Sequence, residues 1–422
     1  MKNKGLKILL SVLLVLCIIM AGALIGKEYI ADNIKEAANR NGVDVVRDTS
    51  DTGKEDENAV DSTAEGTEST QSDAATEADT QQPQMSTIVI TATGDCTLGN
   101  NQEQSYDGSF NSYYDSKGQD YFFGGVRDIF EADDMTLINL ECVLSDATER
   151  VEKRWNLKGK PEYIGIMTGS SIEACSLGNN HTYDYGQQGL DDTRNVLDNA
   201  GIVYGFNDHT GIYETADGTR IGIVSVSLLS QNGDREAYIQ NGIAQLREQG
   251  AAIVIACCHW GIEGDHYPND YQQAAAHRII DWGADLVVGN HPHVLQGMEV
   301  YNGKMICYSL GNFCFGGNAY PSDMDTIIFQ QTFTIDQNGV KDDNVTNIIP
   351  CSISSDSDYN NYQPTPAEGE EATRIMQKIQ KRSSWIKDGT VSDSETATES
   401  DEEYDENSDA FTDSDDTEDP EA

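Results

Sequence analysis

The sequence predicts an α/β fold for the central part of a 422-residue chain. Short apolar runs recur between Gly, Asn and Asp residues, and several are continuously apolar, which is typical of strands covered on both faces. Helical patterns lie between these runs, and this alternation is typical of a layered α/β domain. Polar residues that can bind metal ions follow the strands, so the same pattern also predicts where a functional site lies.

The predicted strands are the apolar runs, which in chain order cover residues 88–93, 135–140, 172–177, 221–228, 251–256, 285–289 and 305–310. A helix is predicted over 187–199, where apolar residues recur at a helical period and Gly201 can end the helix. A second helix is predicted over 270–281, directly after a loop that contains Pro268. Strand and helix therefore alternate through the middle of the chain.

A hairpin is predicted to close the domain. Residues 326–335 and 345–354 read as its two strands, with Asn338-Gly339 as the turn, and a last helix is predicted over 372–386. We therefore predict a main domain over 87–320 and assign 321–386 to the same domain, as its closing hairpin and C-terminal helix.

The N-terminus predicts a membrane-spanning segment. Lys2, Lys4 and Lys7 precede an apolar stretch over 8–25, about long enough to cross a bilayer as a helix. Lysines on the N-terminal side favour a cytoplasmic N-terminus, with the rest of the chain outside the cell membrane. Residues 1–30 are thus predicted to be a signal anchor. A signal peptide cleaved after Ala21-Gly22-Ala23 is the alternative.

Two acidic segments are predicted to be disordered. The formal net charge is −45, and residues 31–86 and 387–422 are rich in Asp, Glu, Ser and Thr. Such segments bury too little apolar surface to offset the entropy of ordering, so we expect a tether and a tail. The negative charge argues against nucleic acid as a partner, because it repels the phosphate backbone.

The nine cysteines do not read as a disulfide framework. Most lie inside or just after apolar runs, and no Cys-x-x-Cys pair occurs. Cysteine in such runs packs as a small apolar residue. We therefore expect mostly buried free thiols, with one bridge left open as an alternative.

Ligand-type residues follow six of the predicted strands: Gly94-Asp95, Asn139-Leu140-Glu141, Gly178-Asn179-Asn180-His181, His259-Trp260-Gly261, Asn290-His291-Pro292-His293 and Gly311-Asn312. In open α/β sheets, ligands bind beyond the carboxyl ends of the strands. Asp, Glu, Asn and His are ligands that divalent metals accept. Because Pro292 bars a regular helix, we expect His291 and His293 to lie in extended chain with their imidazoles on one side.

Six stretches carry a family resemblance: "TGDCTLG" (93–99), "INLECVL" (138–144), "LGNNHTYDYG" (177–186), "HWGIEG" (259–264), "GADLVVGNHPHVLQ" (283–296) and "YSLGNF" (308–313). Together they resemble the calcineurin-like metallophosphoesterase pattern and, more closely, the CapA family of poly-γ-glutamate capsule synthesis proteins. The resemblance covers roughly residues 87–320. It implies a four-layer α/β/β/α metallophosphatase-like fold. It also implies a cell-surface role in making, exporting or anchoring an anionic polymer, with the polymer or its synthase subunits as partners.

The resemblance also implies roles for individual residues. The metal shell would comprise Asp95, Glu141, Asn180, His259, His291 and His293, holding one or two divalent ions such as Mn, Fe or Zn. His181 would donate a proton, and Asp184 would set its tautomer. A metal lowers the pKa of bound water, and a positioned histidine protonates the leaving group.

The sequence departs from the phosphoesterase pattern at two of these positions. That pattern has Asp-x-His after the first strand, whereas this chain has Asp95-Cys96-Thr97, and Glu141 stands where an aspartate is usual. One metal and two metals therefore remain alternatives, and so does hydrolytic activity. The functional alternatives are an accessory protein of polymer assembly, a metal-dependent phosphoesterase acting on cell-envelope phosphoesters, and a non-catalytic scaffold subunit of a polymer synthase.

Overall fold

The computed structural model describes residues 85–230 and 233–386. The predicted anchor over 1–30, the tether except its last two residues, and the acidic tail over 387–422 lie outside the described residues. Within the described part, no helix combines the length and the apolar character needed to cross a membrane.

The strands are β1 Ser86–Thr97, β2 Asn100–Asn101, β3 Met135–Leu140, β4 Val143–Leu144, β5 Leu157–Gly159, β6 Ala174–Ser176, β7 Val203–Gly205, β8 Gly211–Glu214, β9 Arg220–Ser227, β10 Ile253–His259, β11 Leu286–Asn290, β12 Met298–Tyr301, β13 Lys304–Cys307, β14 Asn312–Phe315, β15 Asp325–Asp336, β16 Gly339–Val340, β17 Val345–Ser352 and β18 Thr365–Pro366. The α-helices are α1 Phe110–Lys117, α2 Arg127–Phe130, α3 Ile164–Thr168, α4 Gly186–Ala200, α5 Gly233–Glu248, α6 Asp270–Asp281 and α7 Gly369–Ser383.

The strands form two large sheets and one small one. The nine-stranded sheet has the order β18-β17-β15-β1-β3-β6-β7, with β14 also paired to β1 and β16 to β15. The six-stranded sheet has the order β12-β13-β11-β10-β9-β8, and β2, β5 and β4 form the small sheet. Strands β1, β3, β6 and β7 run parallel, and so do β9, β10, β11 and β13. Each large sheet therefore gathers several carboxyl ends along one edge.

Three apolar clusters separate four layers. The central cluster joins inward-facing residues of both large sheets, such as Ile90 of β1 and Ile255 of β10. A second cluster packs α4 and its neighbours against the nine-stranded sheet, and a third packs α5 and α6 against the six-stranded sheet. The order is thus helices, sheet, sheet, helices.

The strand β10 shows why several strands are continuously apolar. Ile253, Ile255 and Cys257 belong to the central cluster, whereas Val254, Ala256 and Cys258 belong to the cluster against the helices. Side chains alternate between the two faces of a strand, so burial of both faces requires apolar residues at every position.

The structure confirms the alternation and corrects some details. Strand β3 and helix α6 have the predicted bounds, 135–140 and 270–281. The closing hairpin is present as β15 and β17, but its turn lies one residue earlier than predicted. Gly339, with a φ of 107°, already pairs with Asp336, so residues 337–338 form the turn. Its positive φ fits glycine because an L side chain is strained there.

The eight cysteines of the described residues are all buried, and all are free thiols. This confirms the sequence-based expectation for them; Cys17 lies outside the described residues. Burial raises the pKa of the Cys96 and Cys257 thiols to about 12.

Candidate metal centre

The polar strand ends of both large sheets meet at one place. Asp95 lies near the end of β1 and is paired with Asn139 of β3, while His259 of β10 is paired with Asn290 of β11. A continuous chain of contacts, described below, joins the residues on the two sheets. The eight predicted site residues are brought together there: Asp95, Glu141, Asn180, His181, Asp184, His259, His291 and His293.

Glu141, His291 and His293 form the group that is best suited to hold a metal ion. Their ligand atoms all lie within 4.8 Å of one another. Glu141 is fully buried, and among the described residues neither of its carboxylate oxygens has a hydrogen-bond partner; the same is true of His291 Nδ1. A buried carboxylate is costly unless a cation or hydrogen-bond donors satisfy it. The donors present therefore fit a divalent metal.

Asp95 and Asn312 orient His293. The Asp95 Oδ1 atom accepts a hydrogen bond from Asn139 Nδ2 at 2.7 Å, and Oδ2 lies 3.3 Å from His293 Nδ1. His293 Nδ1 also lies 2.8 Å from Asn312 Oδ1. Two oxygen acceptors at Nδ1 favour a proton there, which leaves Nε2 facing Glu141 Oε1 at 3.8 Å. Hydrogen bonding at one ring nitrogen commonly prepares the other as a metal ligand.

His259 and Asn180 contact each other. His259 Nε2 lies 2.9 Å from Asn180 Oδ1 and 3.5 Å from Glu141 Oε1. A cation that used both of these predicted ligands would replace the contact between them. The predicted metal shell therefore has two parts. Glu141, His291 and His293 form one group, with Asp95 hydrogen-bonded beside it. His259 and Asn180 form a pair whose side chains contact each other.

The backbone of the two histidines differs from the prediction. We predicted extended chain, but His291 has a φ of 96° and His293 a φ of 57°. The His291 N–H donates to Asp95 Oδ2 at 3.2 Å, and the Pro292 carbonyl accepts from Gly264 N–H at 2.9 Å. Positive φ costs L residues about 1–2 kcal/mol each. These bonds across the sheet edge hold a strained turn that aims both imidazoles at Glu141.

The charges of the site are unbalanced in a way that a cation would correct. Burial, together with Asp95, raises the pKa of Glu141. Burial and the neighbouring imidazoles hold the pKa values of His259 and His291 well below their usual range. Burial also acts to lower the pKa of His293, but Glu141 and Asp95 outweigh it and raise the pKa to about 10. Neutral imidazoles are the form that binds metals, so His259 and His291 are in that form, whereas His293 would lose a proton on binding an ion.

A second group lies beside the first. His181 Nδ1 lies 2.8 Å from Asp184 Oδ2, and the fully buried Asp184 also forms an ion pair with Lys153. Lys153 Nζ donates to the Asn180 carbonyl at 2.9 Å and lies 3.3 Å from His181 Nδ1. Burial lowers the pKa of His181, although Asp184 opposes this effect. The carboxylate therefore holds a neutral imidazole by its Nδ1–H and leaves Nε2 for proton exchange.

Sequence reasoning did not assign four residues of this site. The only feature of the sequence that marks Lys153 is the presence of other basic residues nearby. Asn139 and Asn312 were among the ligand-type residues predicted at strand ends, but they were not placed in the metal shell; in the structure Asn139 lies within β3 and Asn312 begins β14. Thr97 stands where the phosphoesterase pattern has a histidine, but its hydroxyl donates to the Glu141 carbonyl at 3.1 Å. It supports the backbone of Glu141 and does not substitute for the missing imidazole.

The comparison with protein families decides which family the chain represents. The family model described as "Bacterial capsule synthesis protein PGA_cap" matches residues 89–317, which is more than half of the 422-residue chain. The chain belongs to this family. The matched region includes all eight predicted site residues.

Two relatives of this chain have names that refer to PGA or capsule biosynthesis. The chain is 32% identical over 270 residues to "PGA biosynthesis protein CapA" of Bacillus subtilis (strain 168), covering 58% of this chain and 70% of the relative. It is 27% identical over 303 residues to "Capsule biosynthesis protein CapA" of Bacillus anthracis, covering 64% and 68%. Among solved structures, it is similar to a "novel phosphatase" of Mycoplasma pneumoniae, with 13% identity, a TM-score of 0.41 and coverage of 63% and 94%. A similarity that weak carries no argument about chemistry.

Proposed function

We propose that this capsule synthesis protein acts in the synthesis, export or anchoring of poly-γ-glutamate or a similar anionic surface polymer. The family match and the names of the two Bacillus relatives support this proposal. Its partners would be the polymer or subunits of its synthase, and the cell membrane. The apolar stretch over 8–25 would anchor the chain there, with the folded domain outside.

The proposal includes a divalent metal ion, Mn, Fe or Zn, in a fold of the metallophosphatase type. The single observation that carries this part is the buried carboxylate of Glu141 facing two imidazoles, without hydrogen-bond donors among the described residues. Glu141, His291 and His293 would hold the ion, with Asp95, Asn180 and His259 beside it. Such an ion would polarise a bound oxygen and lower the pKa of a bound water.

Gene deletion with complementation tests this function. We expect deletion to abolish the surface polymer and the wild-type gene to restore it. A gene carrying both His291→Ala and His293→Ala should fail to restore it, whereas His209→Ala, at an exposed histidine outside the site, should succeed. An unchanged polymer after deletion contradicts the proposal. Restoration by the double variant contradicts the metal requirement and favours the scaffold alternative.

One observation favours a second candidate, a metal-dependent phosphoesterase acting on cell-envelope phosphoesters. The arrangement of His181, Asp184 and Lys153 is that of a proton donor whose tautomer is fixed by a buried carboxylate. Asp184 holds Nδ1–H, so Nε2 is the atom that can pass a proton to a leaving oxygen. Lys153 holds Asp184 in turn and is a positioning residue.

The full-length protein with added Mn should then cleave bis(p-nitrophenyl) phosphate. We expect His181→Ala to lower kcat by about 10²-fold or more. Lys153→Met should lower kcat and alter its pH profile, and Lys153→Arg should restore part of the rate. Lys160→Met, at a half-exposed lysine, is the control. Absence of turnover with Mn, Fe and Zn rejects the phosphoesterase and leaves the polymer proposal standing.

A further inference from the structure

A groove of about 590 Å³ lies between the segment after β2, Trp155 before β5 and the segment after β14, and the proposed function does not use it. Its lining includes four aromatic residues, Tyr113, Trp155, Tyr320 and Tyr359, together with amide and carboxylate side chains such as Asn101 and Glu103. A volume of this size is typical of ligand-binding clefts.

Both walls of the groove continue into the candidate site. One wall holds Trp155, and two residues later the Leu157 N–H donates to Asp184 Oδ2 at 2.5 Å. The other wall, residues 317–320, follows directly on β14. In β14, Phe315 packs against the His293 ring with 5.1 Å between centroids. The groove is thus connected to the candidate site through these two segments of the chain.

The shape of the groove is fixed by buried polar contacts. Asn360, which is fully buried, donates to the carbonyls of Phe315 at 2.6 Å and Asn318 at 2.9 Å, and so ties down the 317–320 wall. The equally buried Tyr362 has a φ of 64°, and its hydroxyl bonds to the Gly108 carbonyl at 2.9 Å. Strained residues held this firmly are characteristic of preorganised sites.

The groove lining combines aromatic rings, which present flat apolar faces, with amide oxygens, which can accept hydrogen bonds. Tyr320 is 76% exposed, so most of its ring faces water. Asn101 is only 3% exposed, yet its Oδ1 atom has no hydrogen-bond partner within residues 85–230 and 233–386; the same applies to Gln104 Oε1. Buried acceptors are normally satisfied, so these two point to a ligand with donor groups. Aromatic faces combined with amide oxygens suit a ring that has C–H faces and hydroxyl edges.

The charge of the groove selects between neutral and anionic ligands. Glu103 and Asp107 line it, whereas Lys158 and Lys160 line the neighbouring pocket. Arg150 pairs with Glu103 at 3.0 Å, but the two side chains are 36% and 68% exposed, and such a solvent-accessible pair contributes little. Poly-γ-glutamate carries a carboxylate on every residue, which these acidic groups repel. A neutral ligand meets no such penalty.

We propose that this groove binds a neutral saccharide, two to four rings long, of the kind found in cell-envelope glycans. The inference goes beyond the proposed function, because it assigns a second ligand class to a groove whose lining residues do not belong to the metal centre. It is independent of whether a metal is bound.

Titration of the full-length protein with chitotetraose and with cellotetraose tests the inference, read out by calorimetry and by tryptophan fluorescence. We expect at least one of them to bind with a Kd at or below the millimolar range. Tyr320→Ala should weaken that binding about tenfold, and Glu103→Gln should weaken it less. Tyr238→Ala, at a partly exposed tyrosine on α5, should leave it unchanged.

Three results would overturn the inference. The first is that neither tetrasaccharide binds at a concentration of about 10 mM, which is weaker than any useful affinity. The second is that Tyr320→Ala leaves the binding of the sugars unchanged. The third is that a γ-linked tetraglutamate binds more tightly than the sugars and loses that affinity in Tyr320→Ala. The last result would assign the groove to the anionic polymer. Because none of these readouts depends on surface polymer, failure here is distinct from failure of the proposed function.

Discussion

At the scale of single residues, the candidate metal centre includes two histidines with unfavourable backbone geometry. His291 and His293 both have positive φ values, and the His291 side chain leaves Nδ1 without a hydrogen-bond partner among the described residues. Neither feature stabilises the metal-free fold. Strain and unsatisfied polar atoms of this kind are concentrated at functional sites, where they serve binding instead of folding.

We predict that His291→Gly is more stable than His291→Ala by about 1 kcal/mol in the presence of EDTA, because only glycine relaxes at a φ of 96°. Urea unfolding of both variants measures the difference. Ala274→Gly, inside helix α6, is the control and should be destabilising by a similar amount. Equal stability of the two His291 variants would contradict the presence of strain.

The structure brings the eight predicted site residues together, but the sequence did not predict the way they are held. Asp95, Glu141 and His259 could be predicted because carboxyl ends of parallel strands converge at one edge. The left-handed turn at His291 could not, because it depends on hydrogen bonds to the Asp95 carboxylate and from the Gly264 N–H, and both residues are distant in the chain. Lys153 could not be predicted either, because only the fold brings its ammonium group to Asp184.

At the scale of elements, β1 and the turn before β14 determine where Asp95 lies. The Asp95 N–H donates to the Gly311 carbonyl at 2.9 Å. A Cβ on Gly94 would lie 1.9 Å from that carbonyl oxygen, so the two backbones pass at a distance that only glycine permits. The glycine before the aspartate therefore has a positioning role.

We predict that Gly94→Ala lowers the free energy of unfolding by about 2–3 kcal/mol, the cost of overpacking a tight contact. It should also weaken Mn binding, because Asp95 and the Gly311 turn must separate. Chemical denaturation and metal titration measure the two effects. Thr87→Ala, at an exposed position of the same strand, should change stability by less than about 0.5 kcal/mol. Unchanged metal affinity in Gly94→Ala would contradict the positioning role.

Elements with strong apolar patterns were predicted, and weakly patterned ones were missed. Strand β3 has six buried residues in succession, and its bounds were predicted correctly. Strand β14, Asn312–Phe315, was expected only as a polar strand end, because its pairing with β1 is a long-range contact. Helix α5 was also missed. Ile239, Ile243 and Leu246 have helical spacing there, but polar residues surround them.

At the scale of the whole molecule, the candidate centre bridges the two large sheets. Asp95 and Glu141 belong to the end of the nine-stranded sheet, whereas His259 and His291 belong to the end of the six-stranded sheet. A cation bound by groups from both would link layers that otherwise meet through apolar contacts of the central cluster. Metal binding should therefore stabilise the entire domain.

We predict that Mn at about 100 times its Kd raises the free energy of unfolding by about 2.7 kcal/mol, as linkage requires for a ligand of the native state. Thermal unfolding of the full-length protein with Mn and with EDTA measures the difference. The variant with both His291→Ala and His293→Ala should unfold at the same temperature in either condition. A metal-dependent shift in that variant would place the ion elsewhere.

The stability of the fold should also depend on pH through Asp133. This residue precedes β3, at the end of the strand opposite to the candidate site. Burial raises the pKa of Asp133 to about 7, although a hydrogen bond from Thr136 at 2.7 Å opposes this. The folded state then holds a proton that the unfolded state has lost, so stability is present below about pH 4 and declines as the pH rises towards 7.

We predict that Asp133→Asn removes this decline and is more stable than the wild type by about 2 kcal/mol at pH 8, roughly half of the upper limit that the pKa change allows. Urea unfolding between pH 5 and pH 8 (about the range of the titration) measures it. Asp128→Asn, at an exposed aspartate, should follow the wild type. If the stability of Asp133→Asn falls with rising pH in parallel with that of the wild type, the decline does not come from Asp133.

Coverage of the strands on both faces follows from the sequence, because runs that are apolar at every position require it. How the two sheets are placed against each other was implied only by the family resemblance. Continuous hydrophobicity says that a strand is covered, but not by which element.

The eight buried thiols have a further consequence for anyone handling this protein. A thiol reacts as its thiolate, and burial raises the pKa of Cys96, Cys257 and Cys351 to about 12. Maturation of the described domain then needs no thiol oxidase, even if it takes place in an oxidising compartment. The cysteines should resist alkylating reagents until the domain opens and then react together. Mass-resolved labelling with iodoacetamide would thus report on opening of the fold through natural residues, without an added dye.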